Sequence, residues 1–140
     1  MQLYFLCTGN SCRSQMAEGF AKELAPADWR IASAGTQPHG INPLTIESMA
    51  AVGIDISQQT SDLIDPQFLN QSDYVITLCG DARDNCPMTP PHVQHLHWDL
   101  TDPAQVTGDL ATRRADFVQT RDTIQQYVQA LVNELQTKTS

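Results

Sequence analysis

Cys7-Thr8-Gly9-Asn10-Ser11-Cys12-Arg13-Ser14 decides the fold through what stands on either side of it. Before it runs Leu3-Tyr4-Phe5-Leu6, apolar, rich in strand formers and too short for a buried helix, which predicts a buried strand. After it, Met16, Ala17, Phe20, Ala21 and Leu24 recur at helical spacing, and Glu18 with Lys22 makes a favourable i,i+4 pair. The unit is strand, turn, helix. A turn of this kind ends on a helix N-terminus, where unpaired backbone N–H groups and the positive dipole end favour an anion. Gly9 is expected to let the backbone bend through conformations closed to other residues. Arg13 adds a guanidinium fork that matches a tetrahedral oxyanion.

Cys7 sits where that field acts most strongly on its ionisation. A free thiol at neutral pH is only a few per cent thiolate. A helix N-terminus with a neighbouring Arg can lower its pKa from about 8.5 to between roughly 3.5 and 7.5. The same donors would hold an incoming oxyanion against the sulfur. The competing view, a buried structural thiol beside an ordinary capping loop, leaves Gly9, Arg13 and Ser14 together unexplained.

Composition bounds the rest. A chain of 140 residues suits one domain, 1–140, with a full core. Its opening carries no basic segment followed by an apolar one, and no apolar run approaches a membrane span, so a cytoplasmic protein is expected. Four cysteines in a reducing compartment read as catalytic or metal-binding, not as a disulfide framework. With 16 acidic against 8 basic residues the net charge is −8, which argues against nucleic acid or an anionic membrane as partner. Any anionic substrate must therefore be held by local donors against the field of the whole molecule.

Strand and helix then alternate. Trp29 to Ala34 reads as a second strand, ended by Gly35. Asn42-Pro43 opens a helix with Pro in its first turn, running through Met49 to Val52 and stopping at Gly53. Asp65-Pro66 starts a short helical piece through Leu69, and Asp73 to Leu78 is a strand that delivers Cys79. Gly80 to Pro91 reads as a long irregular loop, His95 to Trp98 as a last short strand, and Asp99 to Gly108 as loop. Phe117, Ile124, Val128, Leu131 and Leu135 mark one face of a long terminal helix. Such alternation implies an α/β fold, a parallel sheet with helices on both faces.

These residues resemble a known family, the thioredoxin-coupled arsenate reductases, which share the fold of low-molecular-weight tyrosine phosphatases. The matching stretches are Cys7 to Glu18, Ser33-Ala34-Gly35, Gly53 to Ser57, Thr60-Ser61-Asp62, Thr77-Leu78-Cys79, Cys86 to Pro91, and His97-Trp98 with Asp102-Pro103-Ala104. They spread over nearly the whole length. The loop alone does not separate reductase from phosphatase; the segment holding Cys79 and Cys86 does.

The resemblance implies a three-layer domain with a four-stranded parallel sheet in the order 2-1-3-4, with ligand bound where that order reverses. It also implies a relay that reduces arsenate to arsenite. Cys7 attacks arsenic while Thr8, Gly9, Asn10, Ser11, Cys12, Arg13 and Ser14 bind the oxyanion. Asp102 protonates the departing oxygen, by its Asp-Pro position. Cys79 then takes Cys7 into a disulfide, and Cys86 takes Cys79 into a second one for thioredoxin to reduce. Ser14 is expected to hydrogen-bond the Cys7 sulfur. Once the fold is granted, adjacent strands about 4.8 Å apart fall within the roughly 4.4–6.8 Å between Cα atoms that a Cys7–Cys79 bridge requires. Cys86 reaches Cys79 only if its loop folds back.

Asn10, Glu18, Ser33 and Asp62 match positions that form a potassium site in some members of the family; no tightly bound cofactor is otherwise implied. Cys12 has no assigned step and reads as a small packed thiol. His95 and His97 lie on one face of a strand, but His39, His92, His95 and His97 are read as loop-packing or solvent-facing groups and not as ligands. Thioredoxin is the implied reductant, with a glutathione and glutaredoxin route known among relatives, and a monomer is expected. Two rival functions are a low-molecular-weight tyrosine phosphatase and a zinc or arsenite-binding module. Ala104 stands where those phosphatases usually place an aromatic residue, and the cysteine spacings do not match the close pairs of structural zinc.

Overall fold

The computed structural model describes residues 1–139. Four strands pair in parallel in the order β2-β1-β3-β4: β1 Gln2–Cys7, β2 Arg30–Gly35, β3 Tyr74–Thr77 and β4 Gln94–His97. The helices are α1 Arg13–Leu24, α2 Pro43–Ala50, α3 Pro66–Gln71, α4 Gly80–Asp84 and α5 Leu110–Thr139, with a short 3-10 turn at Pro103–Gln105. The α/β class expected from the alternation of elements, and the strand order that the family resemblance implies, are what the chain adopts.

Why β1 lies in the middle follows from its burial, because every residue from Gln2 to Cys7 is buried. Successive side chains of a strand point to opposite faces. Leu3 and Phe5 accordingly join Met16, Phe20, Ile124, Val128 and Leu131 under α1 and α5, whereas Tyr4 and Leu6 join Leu69, Val75, Ala82 and Val93 on the other face; Cys7, where β1 gives way to the loop, departs from the alternation and packs with this second group. The same alternation in and after β3 sends Ile76 and Leu78 to the first cluster and Val75 and Cys79 to the second. Cys7 and Cys79 therefore emerge on one side of the sheet, at the ends of adjacent strands.

Helix starts follow their capping chemistry. Asn42 accepts from Leu44 N at 2.9 Å and Asp65 from Gln67 N at 2.9 Å, each with Pro at the next position. The first of these helices stops at Ala50, and the chain turns at Gly53 with φ of +81°, a left-handed value suited to glycine. Two expected loops contain helical turns. Gly80–Asp84 is α4, not irregular chain, because Cys79 caps it: Ala82 N reaches Cys79 Sγ at 3.4 Å and Arg83 N reaches the Cys79 carbonyl at 3.2 Å. Within the expected loop 99–108, Asp102 Oδ1 accepts from Ala104 N at 3.0 Å and turns Pro103–Gln105 into a 3-10 helix.

Candidate active site

The loop between β1 and α1 is held from outside by its carbonyls. Thr36 N, Gln37 N and His39 N donate to the carbonyls of Cys7, Thr8 and Gly9 at 3.3, 2.9 and 3.1 Å. Gln15 Nε2 donates to the Asn10 carbonyl at 2.9 Å, and Asn42 N and Thr45 Oγ1 donate to that of Ser11 at 3.2 and 3.0 Å. A peptide unit is planar and trans, so a carbonyl turned outward turns the next N–H inward. Five consecutive outward carbonyls thus aim the amides of residues 8–12 at the hollow of the loop, an anion-binding concavity ahead of α1.

Glycine serves this loop differently from the expected way. Gly9 does not have positive φ; Asn10 does, at 47°. Gly9 is required by space, since a Cβ there would lie 2.2 Å from His39 Nε2. Gly35, paired with Cys7 across the sheet, is required for the same reason, because its Cβ would stand 2.5 Å from the Thr8 carbonyl oxygen.

Arg13 closes the hollow. Only 7% exposed, it donates from Nη1 to the carbonyls of Leu78 at 3.2 Å and Leu100 at 2.9 Å, while Nη2 stands 3.6 Å from Asp102 Oδ2. Its Nε is buried with no protein partner. A buried N–H left unpaired costs free energy unless something outside the chain accepts it. Cys7, Thr8, Gly9, Ser11, Cys12 and Arg13 line a cavity of about 250 Å³, with His39, Asp102, Ala104 and Gln105 completing its wall. This is room for a tetrahedral oxyanion, next to an unspent donor and one carboxyl group.

The sulfurs divide into an inner pair and an outer one. Cys7 hydrogen-bonds Cys79. That bond pulls the Cys79 thiol down to about 5, helped by Thr8 Oγ1 at 3.2 Å, by Ala82 N and by Arg13. The same bond, with burial, pushes Cys7 up despite Arg13. Arg13 lowers both thiols, and whichever sulfur of the pair is anionic accepts from the other. Ser14, expected on the Cys7 sulfur, is instead fully buried with its oxygen accepting from Asn10 Nδ2 at 2.8 Å. Cys86 follows α4, packs partly buried against the cluster that holds Cys7 and Cys79, and has its thiol pushed up by burial. Cys12 is buried among the α1–α5 side chains, with Ser11 Oγ 3.8 Å from its sulfur, and no disulfide joins the four.

Asn10, Glu18, Ser33 and Asp62 do come together. Asn10 Nδ2 donates to Ser33 Oγ at 2.9 Å, Ser33 Oγ to Glu18 Oε1 at 2.6 Å, and Asp62 N to Asn10 Oδ1 at 2.9 Å. Lys22 Nζ lies 2.5 Å from Glu18 Oε2. The oxygens are thus engaged within the chain, the Asn10 amide presents nitrogen to Ser33, and an ammonium already neutralises the carboxylate. As arranged, these residues do not fit a potassium ion. Elsewhere, His97 Nδ1 pairs with Thr77 Oγ1 at 2.8 Å and His95 Nε2 with Thr89 Oγ1 at 2.7 Å. Among the described residues no group of three or more His, Cys, Asp or Glu side chains could hold a metal.

Residues 2–140 match the low molecular weight phosphotyrosine protein phosphatase family. The chain belongs to that family. Within it, the chain stands beside arsenate reductases: it is 57% identical over 122 residues to the arsenate reductase of Bacillus subtilis, covering 87% of this chain and 88% of the relative. A solved arsenate reductase in a phosphate binding state superposes with a TM-score of 0.77 at 36% identity, over 95% of this chain and 97% of the other. A thioredoxin-dependent arsenate reductase of Corynebacterium glutamicum superposes with a TM-score of 0.80 at 28% identity, over 98% of this chain but 62% of that longer one.

Proposed function

We propose that the protein reduces arsenate to arsenite by passing oxidation along Cys7, Cys79 and Cys86 to thioredoxin. The observation that supports this over a phosphatase is the hydrogen bond between Cys7 and Cys79, since phosphoryl transfer needs only the first sulfur. Arsenate seats its oxygens on the loop amides and on Arg13 Nε. The proton between the sulfurs passes to Cys79 as Cys7 attacks arsenic, and Asp102 protonates the departing oxygen, which leaves as water. Cys79 then attacks the Cys7 sulfur. The sulfur–arsenic bond breaks with its electron pair on arsenic, arsenite leaves carrying the Cys79 proton, and a Cys7–Cys79 disulfide remains.

Cys86 next attacks Cys79, frees Cys7 as a thiol and leaves Cys79–Cys86. That bond engages the Cys79 sulfur that now accepts from Ala82 N at 3.4 Å, so the first turn of α4 gives up this contact as it forms. Thioredoxin reduces the outer disulfide and becomes a disulfide itself. A route through glutathione and glutaredoxin would leave Cys86 without a step.

This reading describes one catalytic domain, 1–140, acting as a monomer. Its thiols require a reducing compartment, the cytoplasm, in keeping with the absence of any helix long and apolar enough to cross a membrane among the described residues. No step uses a potassium ion. The deciding experiment is arsenate-dependent oxidation of NADPH through thioredoxin reductase, with and without thioredoxin. Oxidation that needs both arsenate and thioredoxin is expected; hydrolysis of aryl phosphates with no such oxidation would favour the phosphatase instead.

A further inference from the structure

We propose that His39 is a substrate-binding residue of this pocket: its imidazole, seated on Gly9, hydrogen-bonds an oxygen of the inorganic oxyanion held by the Cys7 loop. The proposal rests on the oxyanion-pocket reading and extends it to a residue outside the loop.

Three observations carry it. The ring occupies the space a side chain on residue 9 would fill, with Nε2 and Cε1 at 2.2 and 2.4 Å from that Cβ position, so the imidazole edge lies directly on the loop. The segment bearing it is zipped to that loop, since Thr36, Gln37 and His39 donate in turn to the carbonyls of Cys7, Thr8 and Gly9. A second tie runs through Ser61, whose Oγ donates to the Gly9 carbonyl at 3.2 Å and accepts from Gly40 N at 3.2 Å. The backbone of His39 is therefore fixed against the loop although the residue is exposed, and its side chain lines the same cavity as Cys7, Arg13 and Asp102.

The charge balance shows why such a donor is wanted. Among the residues lining the cavity, Arg13 is the one permanent cation, and the Asp102 carboxyl stands 3.6 Å from it in a chain of net charge −8. An oxyanion entering that field gains from each further N–H aimed at it, and a hydrogen bond to a charged group is among the stronger kinds. Gly9, then, leaves room for a donor that the loop itself cannot supply.

The test is titration of inorganic phosphate, which fits the pocket but cannot oxidise thiols, into the reduced protein followed by calorimetry. His39→Ala is expected to weaken phosphate about tenfold, a loss of about 1.4 kcal/mol, with the thermal midpoint unchanged. His39→Gln, which keeps a side-chain N–H, is expected to recover most of that loss. In arsenate turnover the alanine variant should raise KM by a similar factor and leave kcat nearly unchanged. Undiminished phosphate binding by His39→Ala overturns the proposal, and so does a glutamine variant as weak as the alanine one, which would make the ring a filler of shape. Failure of the unaltered reduced protein to bind phosphate at all would remove the oxyanion pocket itself, a different result from either.

Discussion

The loop from Cys7 to Ser14 and the segment from Cys79 to Pro91 both carry sulfur, and they are built in opposite ways. The first is buried throughout apart from a half-buried Thr8, and five of its carbonyls are pinned by Gln15, by the 36–39 segment, by Asn42 with Thr45 and by Ser61. The second begins buried at Cys79 and runs outward through a five-residue helix to Met88, 96% exposed. Its outer part is tied back by the Thr89–His95 bond. The difference maps onto the two halves of the proposed reaction. Binding and attack need donors fixed before substrate arrives, because preorganised dipoles cost no rearrangement at the moment of reaction. Handing a disulfide to a partner requires chain that can move, and such segments come from the weakly held parts of a fold.

Variants on the two sides should therefore fail in different ways. Cys7→Ser should bring arsenate reduction to background, read as arsenite formed. Arg13→Lys, which keeps the charge but loses the fork, should lower kcat/KM by about 10²–10³-fold. Cys86→Ser should release about one arsenite per protein molecule in a single-turnover assay and then stop, thioredoxin present or not; continued turnover would break the relay and with it the contrast between the two regions.

A smaller effect sharpens the boundary between them. Cys79 owes its low pKa of about 5 first to the Cys7 hydrogen bond. Removing that donor by Cys7→Ala makes the thiolate harder to form, so the Cys79 pKa must rise. Alkylation of Cys79 by iodoacetamide, mapped by peptide mass, should follow a pH profile with its midpoint near 5 in the unaltered protein. In the variant that midpoint should move up toward the ordinary value of about 8.5, so that labelling at pH 6 nearly disappears. An unmoved midpoint would mean that Thr8 and the α4 amide hold the charge without help from Cys7. Gly35→Ala tests the inner region by crowding it, because the new methyl meets the Thr8 carbonyl oxygen. Overpacking of this kind should cost about 1–3 kcal/mol in urea unfolding.

How much of this was legible in the sequence depended on how local the cause was. The strand Leu3–Leu6 and the turn after it could be read because an apolar run and a helical repeat meet there, and Asn42-Pro43 and Asp65-Pro66 because a cap and a proline announce a helix within two residues. The helix α4 could not be read: Gly80 and the prolines that follow signal a loop, while the group that starts the helix is a cysteine sulfur, which no capping preference includes. Gly9 was read for its backbone freedom when its cause is a ring thirty residues further along the chain. The coupling of Cys7 to Cys79 was equally hidden, since it turns on one hydrogen bond between residues at or just past the ends of two strands that only the sheet order makes neighbours.

The faintest effect concerns whether the inner region is complete by itself. A potassium ion among Asn10, Glu18, Ser33 and Asp62 would need the Asn10 carbonyl to turn toward it and the Lys22 ammonium to leave Glu18. The first move breaks the hydrogen bonds that join the β1–α1 loop to β2 and to Asp62, and the second breaks the Lys22–Glu18 ion pair within α1. Replacing potassium by sodium at constant ionic strength should therefore change kcat/KM and the thermal midpoint very little, by less than about twofold and about 1 °C, each well below the tenfold step that 1.4 kcal/mol represents. Lys22→Ala frees the Glu18 carboxylate and should make the protein more responsive to the cation than before. A strong potassium effect in the unaltered protein would show that the ammonium yields its place, and that the loop, for all its internal hydrogen bonds, is finished only by an ion.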